Sequence, residues 1–348
     1  MRIVVLGLSI TSSWGNGHAT TYRGLIRALR RRGHDVRFLE RDAPWYAAHR
    51  DAPGAGELYA TLDELRERAD LVGDADLVVQ GSFVPDGVAV AEWLLETATG
   101  VTAFYDIDTP VTLAKLEAGD EEYLSRALVP AFDLYLSFTG GPTLERLEHE
   151  YGARRAVALY CAVDPELYFP RPARPEYALG YLGTYSDDRQ PALERLLLEP
   201  ARRLPNQRFV VAGPQYPAEI EWPPNVERIE HLEPGAHRAF YARQAWTLNV
   251  TREAMVAAGW SPSVRLFEAA ACGVAVVSDW WEGLDAFFEP GREIVVAATP
   301  EDVVEALTRD DGHTIGDRAR RRVLAEHTAD HRAGELERYV RETQEVRV

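Results

Sequence analysis

The pattern that restricts this chain most is an alternation of strand and helix that starts at the first residues, breaks at a proline-rich stretch and then starts again. RIVVLGL (2–8) is an unbroken apolar run, which a strand covered on both faces requires. A glycine-rich loop, SSWGNGHA (12–19), leads into TTYRGLIRALRRRG (20–33), a helical segment stopped by Gly33. DVRFLE (35–40), ADLVVQGS (75–82), VTAFYDID (101–108) and FDLYLSFT (132–139) read as further strands, with helices predicted at 57–70, 86–100 and 141–152. Residues 160–176, YCAVDPELYFPRPARPE, hold four prolines and predict a stiff, extended connection. The rhythm then resumes with strands at 177–183, 207–213, 225–230, 245–250 and 274–279, and helices at 189–205, 263–272 and 300–308. From Gly312 the pattern is helical. Alternation of this kind gives parallel sheets with helices on both faces. The expected division is a first domain over 1–160, a linker over 161–176, a second domain over 177–325 and a helical tail over 326–348 that crosses back to the first.

The chain has 348 residues, 46% of them hydrophobic, enough for two cores. Its formal charge of −17 repels nucleic acid and anionic membrane, so no nucleic-acid partner is expected. Arg27, Arg30, Arg31 and Arg32 crowd one segment, where arginines also suit a helix C-terminus. Lys115 is the only lysine, a usage that fits a GC-rich genome. Cys161 and Cys272 lie in unlike contexts with no metal-ligand neighbourhood, and form no disulfide framework. No apolar run approaches the ~18 residues of a membrane span, and no leader pattern is visible, so the expected location is the cytoplasm.

Ligands of open parallel sheets sit at the carboxyl ends of strands where the strand order reverses, so the loops after strands carry the candidates. In GYLGTYSDDRQ (180–190), Gly183, Thr184 and Ser186 precede Arg189 at a helix head. That set suits a phosphate, or else a glycine turn with a polar cap. Gly213 ends another strand. SPSVRLFEAAACG (261–273) places Ser261 and Ser263 as caps, Arg265 in the first helical turn and Glu268 three residues on. A forked cation for phosphate and a carboxylate for a sugar diol fit a nucleotide diphosphate across a helix start. An Arg–Glu pair on a solvated face is the alternative, and the apolar flanks weigh against it.

REAMVAAGWSPSVRLFEAAACGVAVVSDWWEGLDAFFEPGREIVV (252–296) resembles the C-terminal domain of CgeB-type glycosyltransferases, a family named for a spore maturation protein. SSWGNGHATTYRGLIRAL, YDIDTPVT, SFTGGPTL, LYCAVDP, YLGTYSDDRQ and EHTADHRA are similar to a bacterial subgroup, so the resemblance covers nearly the whole chain. It implies the α/β GT-B architecture: two Rossmann-like domains facing a cleft, the first on the acceptor side, the second holding a nucleotide-sugar donor such as a UDP-sugar. It implies that Gly183, Thr184 and Arg189 face the donor diphosphate, helped by Ser263 and Arg265, and that VERIEHL (226–232) lies near the nucleobase. Many retaining members carry two glutamates separated by seven residues. Glu268 matches the second, a ribose ligand, but the first is replaced by Trp260.

In the first domain the resemblance places the loop Gly15, Asn16, Gly17 beside the acceptor and the donor phosphates, with His18 as candidate base, a role suited to imidazole near neutral pH. A helix-capping or packed histidine is the plainer alternative. Asp106 and Asp108 in YDIDTP are expected as cleft residues that orient the acceptor or a catalytic group; an Asp-x-Asp pair could also hold a divalent metal. Thr109 opens the next helix, and Gly140 and Gly141 form another close-approach loop. No metal or cofactor is expected, because arginines and backbone can neutralise a diphosphate. The competing functions are an epimerase or hydrolase of nucleotide sugars, a non-catalytic binding protein, and a nicotinamide oxidoreductase. For the last, Gly15-x-Gly17 and Glu40 are in place, but Thr20 stands where a third glycine belongs.

Overall fold

In the computed structural model, which describes residues 1–347, the chain divides into two compact units: Met1–Cys161 together with the residues from Ala329 onward, and Ala162–Thr328. The last residue of the expected tail, Val348, lies outside the described residues.

The sheet of the first unit has seven parallel strands: β1 (Arg2–Gly7), β2 (Asp35–Arg41), β3 (Glu57–Tyr59), β4 (Leu77–Gly81), β5 (Val101–Asp106), β6 (Leu134–Ser137) and β7 (Ala156–Ala158). Their order is β3-β2-β1-β4-β5-β6-β7, so the winding reverses between β1 and β4. Strands β4, β5 and β6 are buried at every residue, as central parallel strands with both faces covered must be. Successive side chains enter opposite layers. Val4, Leu6, Val78 and Phe104 join one core, while Ile3, Val5, Val79 and Tyr105 join the other. The helix Ala329–Arg347 contributes Leu336, Tyr339 and Val340 to that second layer. Its Glu337 accepts from Arg32 at 2.6 and 2.7 Å and meets His34 at 2.6 Å. The Arg32 guanidinium holds that carboxyl down at about 2.

The second unit repeats the plan with six parallel strands: β8 (Tyr177–Leu182), β9 (Phe209–Ala212), β10 (Val226–Ile229), β11 (Gln244–Asn249), β12 (Ala275–Ser278) and β13 (Val295–Val296). The order β10-β9-β8-β11-β12-β13 reverses between β8 and β11.

Several elements differ from expectation, each for a local reason. Residues 57–70, read as one helix, begin as the edge strand β3; Thr61 then caps a helix that starts only at Leu62, with Glu64 N–H donating to its Oγ1 at 3.2 Å. The helical region 189–205 contains a π turn at Glu194–Leu198, directly before Pro200, which has no N–H to donate back along the helix. Helices at Pro234–Ala242 and Glu253–Ala258 and the short edge strands β7 and β13 were not legible. Of the proline-rich stretch 161–176, the first half packs: Val163 bridges Thr328 and Tyr168 is buried. Only 169–176 is an exposed run. The helix Gly312–Glu326 ends at His327, so the chain leaves the second unit at Thr328, three residues after the expected boundary at 325.

Candidate functional site

The second unit gathers cations at the point where its strand order reverses. Arg265 lies in the first turn of the helix Val264–Ala271, which Ser263 caps by accepting from the Arg265 N–H at 3.4 Å. From there the guanidinium spans the carboxyl ends of β8 and β11. Its Nε donates to the Leu182 carbonyl at 2.5 Å and its Nη1 to Asn249 Oδ1 at 2.8 Å. The group lies over the Tyr181 ring, 4.8 Å from its centroid. Nη2 makes no hydrogen bond to the described residues and is turned toward Gly183, where an added Cβ would sit 3.0 Å from it. Arg189 heads the next helix, with Nη2 donating to the Thr184 carbonyl at 2.7 Å, and its Nε is buried without a partner. Burial first, then the nearby charges of Arg265 and Arg252, push its pKa down.

Among the described residues no carboxylate stands within ion-pair distance of Arg189, Arg252 or Arg265. Clustered, desolvated guanidinium groups without an acid are costly, and such a cluster is a marker of a site for an anion. Arg252 was not singled out from the sequence; its place three residues after the end of β11 was the available signal.

The surrounding loops fit tightly. Gly213 has φ +144, and a Cβ there would meet the Gly183 carbonyl oxygen at 2.0 Å, so the ends of β8 and β9 come this close only because residue 213 is glycine. Tyr216 Oη donates to that same carbonyl at 3.1 Å. Arg228, within the segment expected near a nucleobase, packs between Tyr216 and Trp222 at 4.1 and 4.5 Å and donates to the Val211 and Gly213 carbonyls. Trp260 has φ +47, an uncommon conformation for a bulky residue. Its N–H donates to the Glu282 carbonyl at 2.6 Å, and its ring packs on Gly283.

Glu268 separates from Arg265 despite the three-residue spacing. Its carboxylate accepts from Tyr241 Oη at 3.3 Å and lies 3.9 Å from His237 Nδ1, facing the helix Pro234–Ala242. Burial raises its pKa, with His237 opposing. The structure thus brings Gly183, Thr184, Arg189, Gly213, Ser263 and Arg265 together and turns Glu268 toward a buried Tyr–His pocket.

In the first unit the loop after β1 is built around Glu40, at the end of β2. This buried carboxylate accepts from Ser9 Oγ at 2.8 Å, Ile10 N–H at 2.7 Å, and Thr11 N–H and Oγ1 at 2.9 and 2.7 Å. Bound so, it has little capacity left for a ribose, which counts against the nicotinamide reading. Asn16 caps the helix Gly17–Arg31, accepting from His18 N–H at 3.0 Å and donating to the Ser9 and Ser12 carbonyls. Gly15 and Gly17 are exposed with open space beside them. His18 Nε2 lies 3.6 Å from Asp108 Oδ2, and its Nδ1 is buried with no hydrogen-bond partner. Gly140 packs against Tyr160, and Gly141 precedes the helix Pro142–His149.

Asp106 is enclosed rather than open. Tyr135 Oη donates to it at 2.6 Å and Thr112 Oγ1 at 2.7 Å, and Thr109 Oγ1 bonds the Asp106 carbonyl at 3.2 Å. Burial pushes the Asp106 carboxyl up to about 6. The folded state therefore keeps a proton that the unfolded chain releases near pH 4, and stability from this group falls as pH rises from about 4 through about 6. Asp106→Asn is expected to lack that loss, which is on the order of 3 kcal/mol. Urea melts of both proteins at either end of this window check it; a parent–variant difference that does not change with pH contradicts it.

No curated protein sequence matches the chain. Residues 189–338 match the family described as glycosyl transferase-like. Among solved structures, a sucrose-phosphate synthase from Thermosynechococcus elongatus is 15% identical, with 99% of this chain and 100% of that chain covered and a TM-score of 0.67. Anabaena HepE in complex with UDP and glucose is 13% identical over 98% and 100%, with a TM-score of 0.71. An alpha-glucosyltransferase in complex with UDP-glucose and DNA containing an abasic site is 13% identical over 98% and 99%, with a TM-score of 0.69. Likeness at these identities is likeness of fold. The chain has the GT-B fold of the glycosyltransferases, and its residues 189–338 match the glycosyl transferase-like family.

Proposed function

We propose that this protein is a glycosyltransferase that takes a sugar from a nucleotide-diphosphate donor, with UDP-sugars the leading candidates, and passes it to an acceptor hydroxyl without a metal. The observation that carries the reading is the set of Arg189, Arg252 and Arg265, none with a described carboxylate within ion-pair distance, at the strand-order reversal of the second unit in a chain whose formal charge is −17. A leaving nucleoside diphosphate gathers negative charge as the glycosidic bond breaks, and preorganised guanidinium groups stabilise that charge. In the first unit, His18 is the base of this reading, with its Nε2 3.6 Å from Asp108 Oδ2 and its Nδ1 enclosed by the protein. The 3.6 Å separation is of the length seen for catalytic pairs awaiting substrate. The likeness to proteins crystallised with UDP, UDP-glucose or glucose supports a donor of this class.

Thermal shift with UDP, GDP, dTDP and NAD tests the donor class. A ligand that binds only the folded state at about 100 times its Kd adds about 2.7 kcal/mol of stability. Stabilisation by one or more of the nucleoside diphosphates with NAD inert is expected; stabilisation by NAD alone contradicts the reading.

A further inference from the structure

The first unit carries an aromatic surface that the proposed chemistry leaves unused. Trp45, in the turn Pro44–Ala47, is 62% exposed. His49 stacks on Trp14 with ring centroids 4.4 Å apart and planes 14° from parallel, and Trp45 meets His49 edge-on at 6.3 Å. Trp14 stands four residues before His18, in the same loop.

This surface is held firmly. Ser12 Oγ donates to the His49 carbonyl at 2.8 Å, and Ser13 Oγ to Asp51 Oδ2 at 2.6 Å. The Asp51 and Ala52 N–H groups donate to the Thr11 carbonyl at 3.1 and 3.0 Å. Arg23 pairs with Asp51 at 2.6 Å, while Arg50 reaches Thr11 Oγ1 at 3.2 Å and Asp42 at 2.6 Å. The loop after β1 and the segment 42–52 thus form one cross-linked platform. Its rim carries partly exposed carboxylates (Asp42, Asp51) and Arg50.

Trp45 offers most of its indole to solvent beside the Trp14–His49 stack, so three aromatic rings from two loops gather at one surface. A sugar ring fits well. Its C–H face lies flat on an indole, and its hydroxyls reach the carboxylates and guanidinium around the edge, as ligand sites pair apolar walls with a few placed polar groups. We infer that the Trp14–His49–Trp45 platform binds a saccharide, so that the acceptor is itself a glycan. Its role as acceptor site rests on the glycosyltransferase reading; saccharide binding as such does not.

The experiment exposes the full-length protein, Trp45→Ala and Trp45→Phe to an oligosaccharide array. The best-retained glycan is then titrated into all three by calorimetry, with UDP titrated in parallel. Because Trp45 is exposed, its truncation should leave the fold intact. Retention of at least one glycan by the parent, weakened about tenfold or more in Trp45→Ala, as expected for a truncated Trp anchor, and largely restored in Trp45→Phe supports the inference. No glycan bound by the parent, or equal affinity in Trp45→Ala, overturns it. UDP binding without glycan binding overturns the platform and leaves the transferase reading standing; glycan binding without UDP binding keeps the platform and removes that reading.

Discussion

Arg265→Ala lowers the affinity for UDP about 10- to 100-fold while leaving the affinity for uridine nearly unchanged. The expected size follows from hydrogen bonds between ions, worth about 1.5–3 kcal/mol each. Nη2 is the free arm of a guanidinium whose other nitrogens are committed to Leu182 and Asn249, so its position is set before any ligand arrives. Uridine has no diphosphate and is spared. Truncation also strips donors from the Leu182 carbonyl and Asn249, which costs stability. It removes a desolvated charge from beside Arg189 as well, and the two effects oppose. Arg189→Ala provides an independent variant, since the one hydrogen bond that side chain makes to the described residues is to the Thr184 carbonyl. Isothermal titration with UDP and uridine reads both; parent-like UDP affinity in both variants contradicts the clamp.

His18→Ala is expected to cut turnover of UDP-glucose, used as probe donor and read as UDP release, by about 10²–10⁴-fold, the usual contribution of a positioned base. UDP affinity should be unchanged, because in this reading the histidine acts on the acceptor hydroxyl and the arginine cluster holds the donor. Asp108→Asn should give a smaller fall by loosening the pairing at Nε2. Steady-state kinetics alongside UDP titration separate the steps. A turnover equal to the parent's in His18→Ala removes the histidine from the chemistry, and a loss of UDP affinity instead assigns it to binding.

How much of this was legible in the sequence depended on the kind of signal. The buried strands β1, β5, β8 and β11 declared themselves, because strands covered on both faces are rich in apolar residues. Arg265 was legible for a related reason: a cation in the first turn of an otherwise apolar helix needs a purpose. Its separation from Glu268 was not. Three-residue spacing puts two side chains on neighbouring parts of one face, but where their ends go is decided by what they meet. Arg265 finds the carbonyl end of β8, and Glu268 finds Tyr241. Asp106 read as an open cleft residue, yet hydroxyls from Tyr135 and Thr112, far off in the chain or a helical turn away, close over it. Glu40 was weighed as a ribose ligand and instead organises residues 9–11. Each of these outcomes depends on tertiary partners that no local pattern announces. The Trp14–His49–Trp45 surface escaped notice for the same reason, since its rings come from two loops.

A crystal structure of the protein soaked with UDP tests the central claim most directly. The account predicts the diphosphate at the carboxyl ends of β8 and β11, with an oxygen in hydrogen-bonding reach of Arg265 Nη2 and another near Arg189. UDP bound elsewhere, or seated there with its phosphates turned away from both guanidinium groups, would contradict it.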